Sequence, residues 1–383
     1  MKRLTISTLI LWACFVHVAW GQQPAGKCSN NWSEFHRYNM QRWNRCEKVL
    51  TVNNVGGLGL KWSSRFFISV YSSPAVANGV VYVGSGDHKV YALKAKTGHK
   101  LWSYTIGGHF GNSSPAVANG VVYVGSEDHN VYALNTSTGA KLWSYATGSF
   151  VYSSPSVANG VVYVGSNDYN VYALNASTGA KLWSYATGGS VESSPDVANG
   201  VVYVGSYDRN VYALNASTGA KLWSYATDGA VYSSPAVANG VVYVGSDDNK
   251  VYALNASTGA QLWSYATGNY VGSSPAVANG VVYVGSDDGN VYALTASTGA
   301  ELWSYDTGQS FYGESSPAVA NGVVYVGSYE SLGYGSLYAL DAKTGAKLWS
   351  YTKPFPVASS PAVSNGVVYL GWGDGNVYAF GLK

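Results

Sequence analysis

The strongest constraint on this chain is a tandem repeat marked by the triplet Ser-Ser-Pro. Its proline recurs at Pro74, Pro115, Pro155, Pro195, Pro235, Pro275, Pro317 and Pro361, an interval of about 40 residues each time. Self-similarity at this period indicates small structural units that stack on one another, because a unit of this size cannot bury its apolar side chains alone. The 383 residues are therefore interpreted as one repeat architecture.

Each unit divides into four strand-length pieces separated by turn-forming residues. In the unit at residues 153–183, Asn159-Gly160 predicts a two-residue hairpin turn, since both central positions of that turn favour positive φ. The polar cluster at 166–170 and the pair Thr178-Gly179 predict the other two turns. Between them lie runs rich in Val, Tyr, Leu and Trp, which favour strands. Four antiparallel strands per unit follow.

Side-chain size and the chain ends favour a radial arrangement of the units. The first strand of each unit carries small residues and the later ones carry large ones, as expected for a wedge that narrows towards an axis. The last unit lacks a Trp strand, whereas Leu60-Lys61-Trp62-Ser63 precedes the first triplet. We therefore predict an all-β protein: an eight-bladed β-propeller of four-stranded antiparallel blades over residues 57–383, closed by pairing the N-terminal strand with the last blade.

Residues 1–21 are predicted to be a signal peptide. Basic Met1-Lys2-Arg3 precedes a mostly apolar run, and Ala19-Trp20-Gly21 fits a cleavage site. A lipoprotein signal that would anchor the chain at Cys14 is the alternative. No later apolar stretch has the length of a membrane helix. We expect an exported protein, periplasmic or extracellular.

Residues 22–56 form an N-terminal extension. If Cys14 leaves with the signal, Cys28 and Cys46 remain, and an even pair in an oxidising compartment predicts a disulfide. Trp32, Phe35 and Trp43 favour packing onto the propeller, either inside its funnel or over an outer blade. Without Lys2 and Arg3 the 22 basic residues fall to the number of acidic residues, 20. Nucleic acid and anionic membranes are therefore not expected partners.

The run VYALNASTGAKLW, with Ser-Ser-Pro before it and Trp at its end, resembles the pyrroloquinoline-quinone-type repeat with its tryptophan-docking motif, over about residues 57–383. That family includes quinoprotein dehydrogenases and an outer-membrane assembly scaffold lipoprotein. The resemblance implies a propeller and assigns to certain tryptophans the role of locking neighbouring blades. These are Trp62, Trp102, Trp143, Trp183, Trp223, Trp263, Trp303 and Trp349.

The resemblance does not by itself imply a cofactor. Quinoprotein dehydrogenases of this fold are much longer, and their alcohol-oxidising members carry adjacent cysteines that this chain lacks. Catalytic-triad, phosphate-loop and HExxH motifs are also absent from the sequence. We expect no catalytic residues and no cofactor, with pyrroloquinoline quinone and calcium as the alternative.

Comparison of the units with one another places the variation on one face. The Asn-Gly and Thr-Gly turns barely change, whereas the residue before each Ser-Ser-Pro differs from blade to blade. These residues should ring the channel mouth; they are Tyr71, Asn112, Tyr152, Glu192, Tyr232, Gly272, Glu314 and Ala358. Loops on a rigid scaffold often carry recognition, so we predict a binding face for a protein, peptide or glycan. Relaxed drift in exposed loops is the alternative.

Three further groups of residues are weaker candidates for a functional site. His88, His109 and His129 fall on the variable face, where a metal site and solvated side chains are the two interpretations. Asp196 replaces the usual Ala on the inner strand that follows Glu192; the pair could act as acid and base, or face channel water. The repeated Asp before each third strand is interpreted as an Asx turn.

We therefore favour an exported noncatalytic binding or scaffold propeller, expected to be monomeric, with envelope assembly as one form of this function. Two further hypotheses are a pyrroloquinoline-quinone-dependent or funnel-carboxylate enzyme, and a structural repeat whose blades have no individual role.

Overall fold

The propeller predicted from the repeat is confirmed. A computed structural model describes residues 31–35, 41–66, 68–108, 111–308, 315–329, 333–357 and 359–383. These residues form eight four-stranded antiparallel blades, one of which gains a fifth strand. Among them the sole helical element is a 3-10 turn at Val55–Gly57, and no helix in this part of the chain is long and apolar enough to cross a membrane.

The strands of each blade run outward from the axis in chain order. Blades one to four comprise Ala75–Ala77, Val80–Ser85, Lys89–Lys94 and Lys100–Thr105; Ala116–Ala118, Val121–Gly125, Asn130–Asn135 and Lys141–Ala146; Ser156–Ala158, Val161–Gly165, Asn170–Asn175 and Lys181–Ala186; Asp196–Ala198, Val201–Gly205, Asn210–Asn215 and Lys221–Ala226. Blades five to eight comprise Ala236–Ala238, Val241–Ser246, Lys250–Asn255 and Gln261–Ala266; Ala276–Ala278, Val281–Gly285, Asn290–Thr295 and Glu301–Asp306; Ala318–Ala320, Val323–Tyr329, Tyr334–Asp341 and Lys347–Pro354; Ala362–Ser364, Val367–Gly371, Asn376–Leu382 and, from the N-terminal side, Leu58–Arg65.

The N-terminal strand closes the ring as predicted. Leu58–Arg65 pairs antiparallel with Asn376–Leu382, and Trp62 lies opposite Ala379. Blade eight is thus built from both ends of the propeller. This pairing joins the first and last units, so the ring has no open end.

The eight tryptophans assigned by resemblance share one contact. Each indole Nε1 donates a hydrogen bond of 2.8–3.1 Å to a backbone carbonyl of the next blade, as Trp183 does to Ala216 and Trp349 to Leu58. A Cβ built on Gly219, in the Thr-Gly turn of the next blade, would lie 2.7 Å from the Trp183 ring. Glycine is therefore required there by contact as well as by its φ of +73°.

A ring of serines joins the inner strands around the axis. The backbone N–H of the second serine of each triplet donates to the hydroxyl of the equivalent serine in the next blade, at 2.9–3.0 Å. The last of these bonds runs from Ser360 to Ser73 and closes the circle. The triplet that marks the repeat is thus a blade-to-blade connection.

Candidate functional site

The N-terminal extension enters the central channel. Trp32 exchanges two backbone hydrogen bonds with Val76 of blade one, at 2.6 and 2.7 Å. The carbonyls of Ser33, Gln41 and Arg42 accept from the inner strands of blades two, six and seven, and Trp43–Asn44 pairs parallel with the inner strand of blade seven. We call residues 31–35 and 41–47 the channel segment. Of the two placements that the sequence left open, the structure shows the one inside the funnel.

Arg42 anchors the channel segment. Its guanidinium is fully buried and donates to the carbonyls of Pro317, Phe35, Ser316 and Pro361 at 2.8, 2.5, 3.3 and 3.3 Å. The guanidinium carbon also lies 4.5 Å from the centre of the Phe35 ring. Burial lowers the pKa of Arg42 to about 9. The carbonyls provide the partners that a buried cation needs.

Two carboxyl groups are buried where the channel segment passes blades three and four. Glu34 accepts from the N–H of Val157 at 3.3 Å, and Asp196 accepts from the N–H of Val237 at 2.7 Å. Burial raises the pKa of Glu34 to about 8. Burial, opposed by the Val237 hydrogen bond and reinforced by nearby Glu34, raises the pKa of Asp196 well above its usual range. Glu34 is therefore largely protonated near neutral pH.

This placement corrects the expectation for Asp196. Its side chain has no exposed surface, so it neither faces channel water nor lines the mouth. Glu192, four residues earlier, does line the mouth cavity. Glu192 precedes the strand that begins at Asp196, and the two carboxyl groups have separate surroundings: one lines the cavity, and the other is fully buried.

At the mouth, next to the channel segment, lies a cavity of about 440 Å³, which we call the cup. It brings together six of the eight residues that precede Ser-Ser-Pro; these are Tyr71, Asn112, Tyr152, Glu192, Tyr232 and Gly272. Glu314 and Ala358 lie outside the described residues. Phe35 of the channel segment also lines the cup.

Besides the second serines of six triplets, sequence reasoning missed four lining residues: Phe35, Asp247, Tyr270 and Asp287. Asp247 and Asp287 occupy the position before the repeated Asp of each unit, where other blades carry other residues, such as Glu127. That variation was the signal that could have revealed them. Phe35 could not be assigned, because the sequence did not fix the path of the extension.

The cup carries negative charge on blades four to six. Burial, together with the charges of Asp287 and Asp248, raises the pKa of Asp247 to about 6. Burial also raises the pKa of Glu192, although Asn167 donates to its carboxylate at 3.0 Å. Among the described lining residues there is no Lys, Arg or His. At neutral pH the cup is therefore predominantly anionic on this side.

The remaining candidates are the loop histidines and the repeated Asp. The described residues contain no group of three or more His, Cys, Asp or Glu side chains arranged to hold a metal. His88 and His129 occupy turn positions with φ of 67° and 70°, while His109 lies outside the described residues. Asp168 accepts from the N–H of Asn170 and the hydroxyl of Tyr172, at 3.0 and 2.7 Å, as an Asx-type turn requires.

Cys46 is buried and disulfide-bonded. Cys28 lies outside the described residues, so the pairing of Cys28 with Cys46 stays a prediction. Cys46 adjoins Glu47, whose carboxylate accepts from the N–H of Gly366 at 2.9 Å. The end of the channel segment is thus tied to blade eight.

A family described as "Outer membrane protein assembly factor BamB" matches residues 49–115, 105–196, 187–270 and 267–383. A curated relative, "Lupanine 17-hydroxylase [cytochrome c]" from Pseudomonas sp, is 36% identical over 103 residues, which are 25% of this chain and 15% of that protein. This chain thus spans a small part of that relative.

Two solved structures share the fold. BamB from Moraxella catarrhalis has a TM-score of 0.73 at 21% identity and covers 85% of this chain and 98% of its own. A quinohemoprotein alcohol dehydrogenase, ADHIIG from Pseudomonas putida, has a TM-score of 0.78 at 19% identity and covers 92% of this chain and 80% of its own. At these identities the similarity establishes the propeller alone.

Proposed function

Because the chain belongs to the family described as outer membrane protein assembly factor BamB, we propose that it is an exported, noncatalytic propeller that binds a partner through its cup. Its partner would be a protein, peptide or glycan. A role as a scaffold in envelope assembly is the form of this function that the family description favours. We further propose that residues 1–21 direct export, that Cys28 and Cys46 form a disulfide, and that the mature chain is monomeric.

One observation carries the proposal: the residues around the cup differ between blades in an otherwise uniform repeat. The channel segment bonds to the inner strands, and its Phe35 lines the cup. A cavity with varied aromatic and polar lining can hold part of a partner. It offers no described nucleophile with an adjacent base, which catalysis by side chains would need.

The second candidate is a quinoprotein dehydrogenase, favoured by the local identity with the lupanine hydroxylase. Pyrroloquinoline quinone is a tricarboxylate, so a site for it needs cationic groups. The cup instead carries Glu192, Asp247 and Asp287, with no cationic side chain among its described lining residues. These residues do not fit the quinone, and we propose no redox step through it.

The test of this function compares a cup variant with a matched variant at the opposite end of the inner strands. Tyr71→Ser/Tyr232→Ser removes two rings from the cup, whereas Asn239→Gly alters only a hairpin turn. Cross-linking of purified chains to envelope extracts should retain a partner with the wild-type and Asn239→Gly chains and lose it with the double variant. Equal retention by all three chains would contradict the proposal.

A separate titration addresses the second candidate. Pyrroloquinoline quinone with calcium is added to the purified chain while cofactor absorbance and dye-linked oxidation of alcohols and sugars are followed. We expect neither stoichiometric binding nor turnover, because the lining carboxylates repel the quinone's own. Binding with turnover would replace the scaffold function by the dehydrogenase.

A further inference from the structure

We propose that the cup binds a polyhydroxyl ligand, namely the end of a neutral glycan. This inference rests on the proposed function, because it names the occupant of the same cup. Three features of the lining carry it: buried hydroxyl groups, carboxylates, and exposed aromatic rings. Each feature places a different requirement on the ligand, and few classes of ligand meet all three.

The hydroxyl groups come from the serine ring. Six of its eight members line the cup, and each is at least nine-tenths buried; they are Ser73, Ser154, Ser194, Ser234, Ser274 and Ser316. Each hydroxyl oxygen accepts one backbone N–H. A serine hydroxyl has one hydrogen and two lone pairs, and none of the bonds described for these six hydroxyls uses the hydrogen. The wall of the cup therefore offers hydrogen-bond donors around the axis.

The carboxylates supply acceptors beside these donors. Glu192, Asp247 and Asp287 lie on three successive blades, four to six. An ionised carboxylate only accepts hydrogen bonds, through two oxygens. Asn112, on blade two, can donate and accept. The ligand must therefore donate towards blades four to six and accept from the serine wall.

The aromatic rings supply apolar faces. Tyr71, Tyr232 and Tyr270 line the cup and remain 39%, 37% and 52% exposed, and Phe35 also lines it. Exposed tyrosines offer contact area at a low cost in side-chain entropy. The C–H faces of a sugar ring are the natural complement of such rings, since the ring hydroxyls project at its edge.

These requirements exclude the simpler ligand classes. An anion would meet three carboxylates, and an apolar ligand would offer no hydrogen bonds to the carboxylates and hydroxyls that it covers. A compact cation would satisfy the carboxylates but not the serine hydrogens. A polyol donates and accepts at neighbouring positions, and the volume of about 440 Å³ lies within the roughly 300–1,000 Å³ of ligand sites. A neutral sugar unit satisfies all three features.

The experiment titrates the full exported chain with defined probes by calorimetry and ligand-observed NMR. The probes are cellotriose, maltotriose, tri-N-acetylchitotriose and pentalysine, each at low and high salt. We expect saturable binding of at least one trisaccharide, nearly independent of salt because no ion pair forms. Asp247→Ala/Asp287→Ala should weaken it at least tenfold, and so should Tyr270→Ala, which alters an exposed ring and should not impair folding. Asn239→Gly should leave it unchanged.

Two results would overturn the inference in distinguishable ways. Binding of pentalysine alone, with affinity that falls steeply with salt, would show a cationic peptide as occupant and leave the proposed function intact. Absence of saturable binding by all four probes, together with an envelope partner that still depends on Tyr71 and Tyr232, would also reject the glycan but keep the binding propeller. If the partner does not depend on those tyrosines either, both proposals fail.

Discussion

The two ends of the inner strands differ although only a few residues separate them. At one end, every unit has Asn-Gly, with Asn φ angles of 45–51°. At the other, the residue before Ser-Ser-Pro varies between blades, and all six of the described ones line the cup. The turn end is fixed because few residues adopt positive φ and because the channel segment packs beside it. The cup end has no such requirement, so side chains there can vary with the fold unchanged.

The largest effect on stability is expected when the channel segment loses its anchor, Arg42. Arg42→Ala should lower the free energy of unfolding by about 4 kcal/mol, because four carbonyls lose a charged donor. Arg45→Ala is the matched control: its exposed guanidinium lies over the Trp43 ring at 5.9 Å, and it should change stability by less than about 1 kcal/mol. Urea unfolding measures both, and equal effects would show that the channel segment is not anchored by Arg42.

The next test uses pH. Burial raises the pKa of Glu34 to about 8 from 4.5, so between these values the folded chain binds more protons than the unfolded chain. The contribution of Glu34 to the free energy of unfolding is therefore fully present below about pH 4.5 and is lost as the pH rises through 8. Stability should fall by about 2–3 kcal/mol from pH 5 to pH 8.

Asp196→Ala sharpens this test, since it restores the residue found at Ala236 of the neighbouring blade. It removes the second buried carboxyl, whose pKa is raised by burial and further by nearby Glu34, so the loss of stability with pH should become smaller. Thermal melts across the pH series give the comparison. An unchanged slope would place the pH dependence elsewhere in the molecule.

A smaller effect is expected at a hairpin turn. Asn239→Ala should cost about 1 kcal/mol, because alanine must take the φ of 50° that Asn239 has. Asn239→Gly should be nearly neutral, as glycine adopts positive φ without steric cost. Equal melting temperatures of the two variants would mean that the turn conformation does not limit the sequence at this end.

The smallest effect on stability is expected at the cup. Tyr270→Ala should change the free energy of unfolding by less than about 0.5 kcal/mol, since its side chain is largely exposed, while it weakens ligand binding. A large loss of stability in urea would show that the fold requires the cup residues as well as the turn residues, and the two ends would not differ in this respect.

The repeat made the fold predictable because its requirements are local. Asn-Gly dictates a hairpin, the alternation of Val and Tyr dictates strands, and the spare Trp62 strand dictates closure; all three agree with the structure. The mouth residues were also found from sequence, because comparison of units shows where a repeat changes. Internal variation thus identified six of the sixteen described lining residues without any geometry.

The rest depended on contacts that do not repeat. The path of the channel segment is determined by hydrogen bonds from single residues to distant blades, such as the bond from Arg42 to Pro361. The periodicity of the sequence does not indicate these bonds. The same path brings Glu34 near Asp196, which is fully buried, and raises the pKa of Asp196 further; the sequence of its own unit does not show this neighbour. Asp247 and Asp287 entered the cup from a second loop that only the folded ring brings beside the first.

The channel segment also changes how the ring should unfold. In an ordinary repeat array each unit contacts only its neighbours, so parts of the array can melt separately. Here one short stretch of chain touches blades one, two, six and seven, and Lys61 bonds to Leu382, 321 positions away. Opening any of these blades also disrupts contacts on the far side of the axis. We expect a single cooperative transition in which near-identical blades lose their independence.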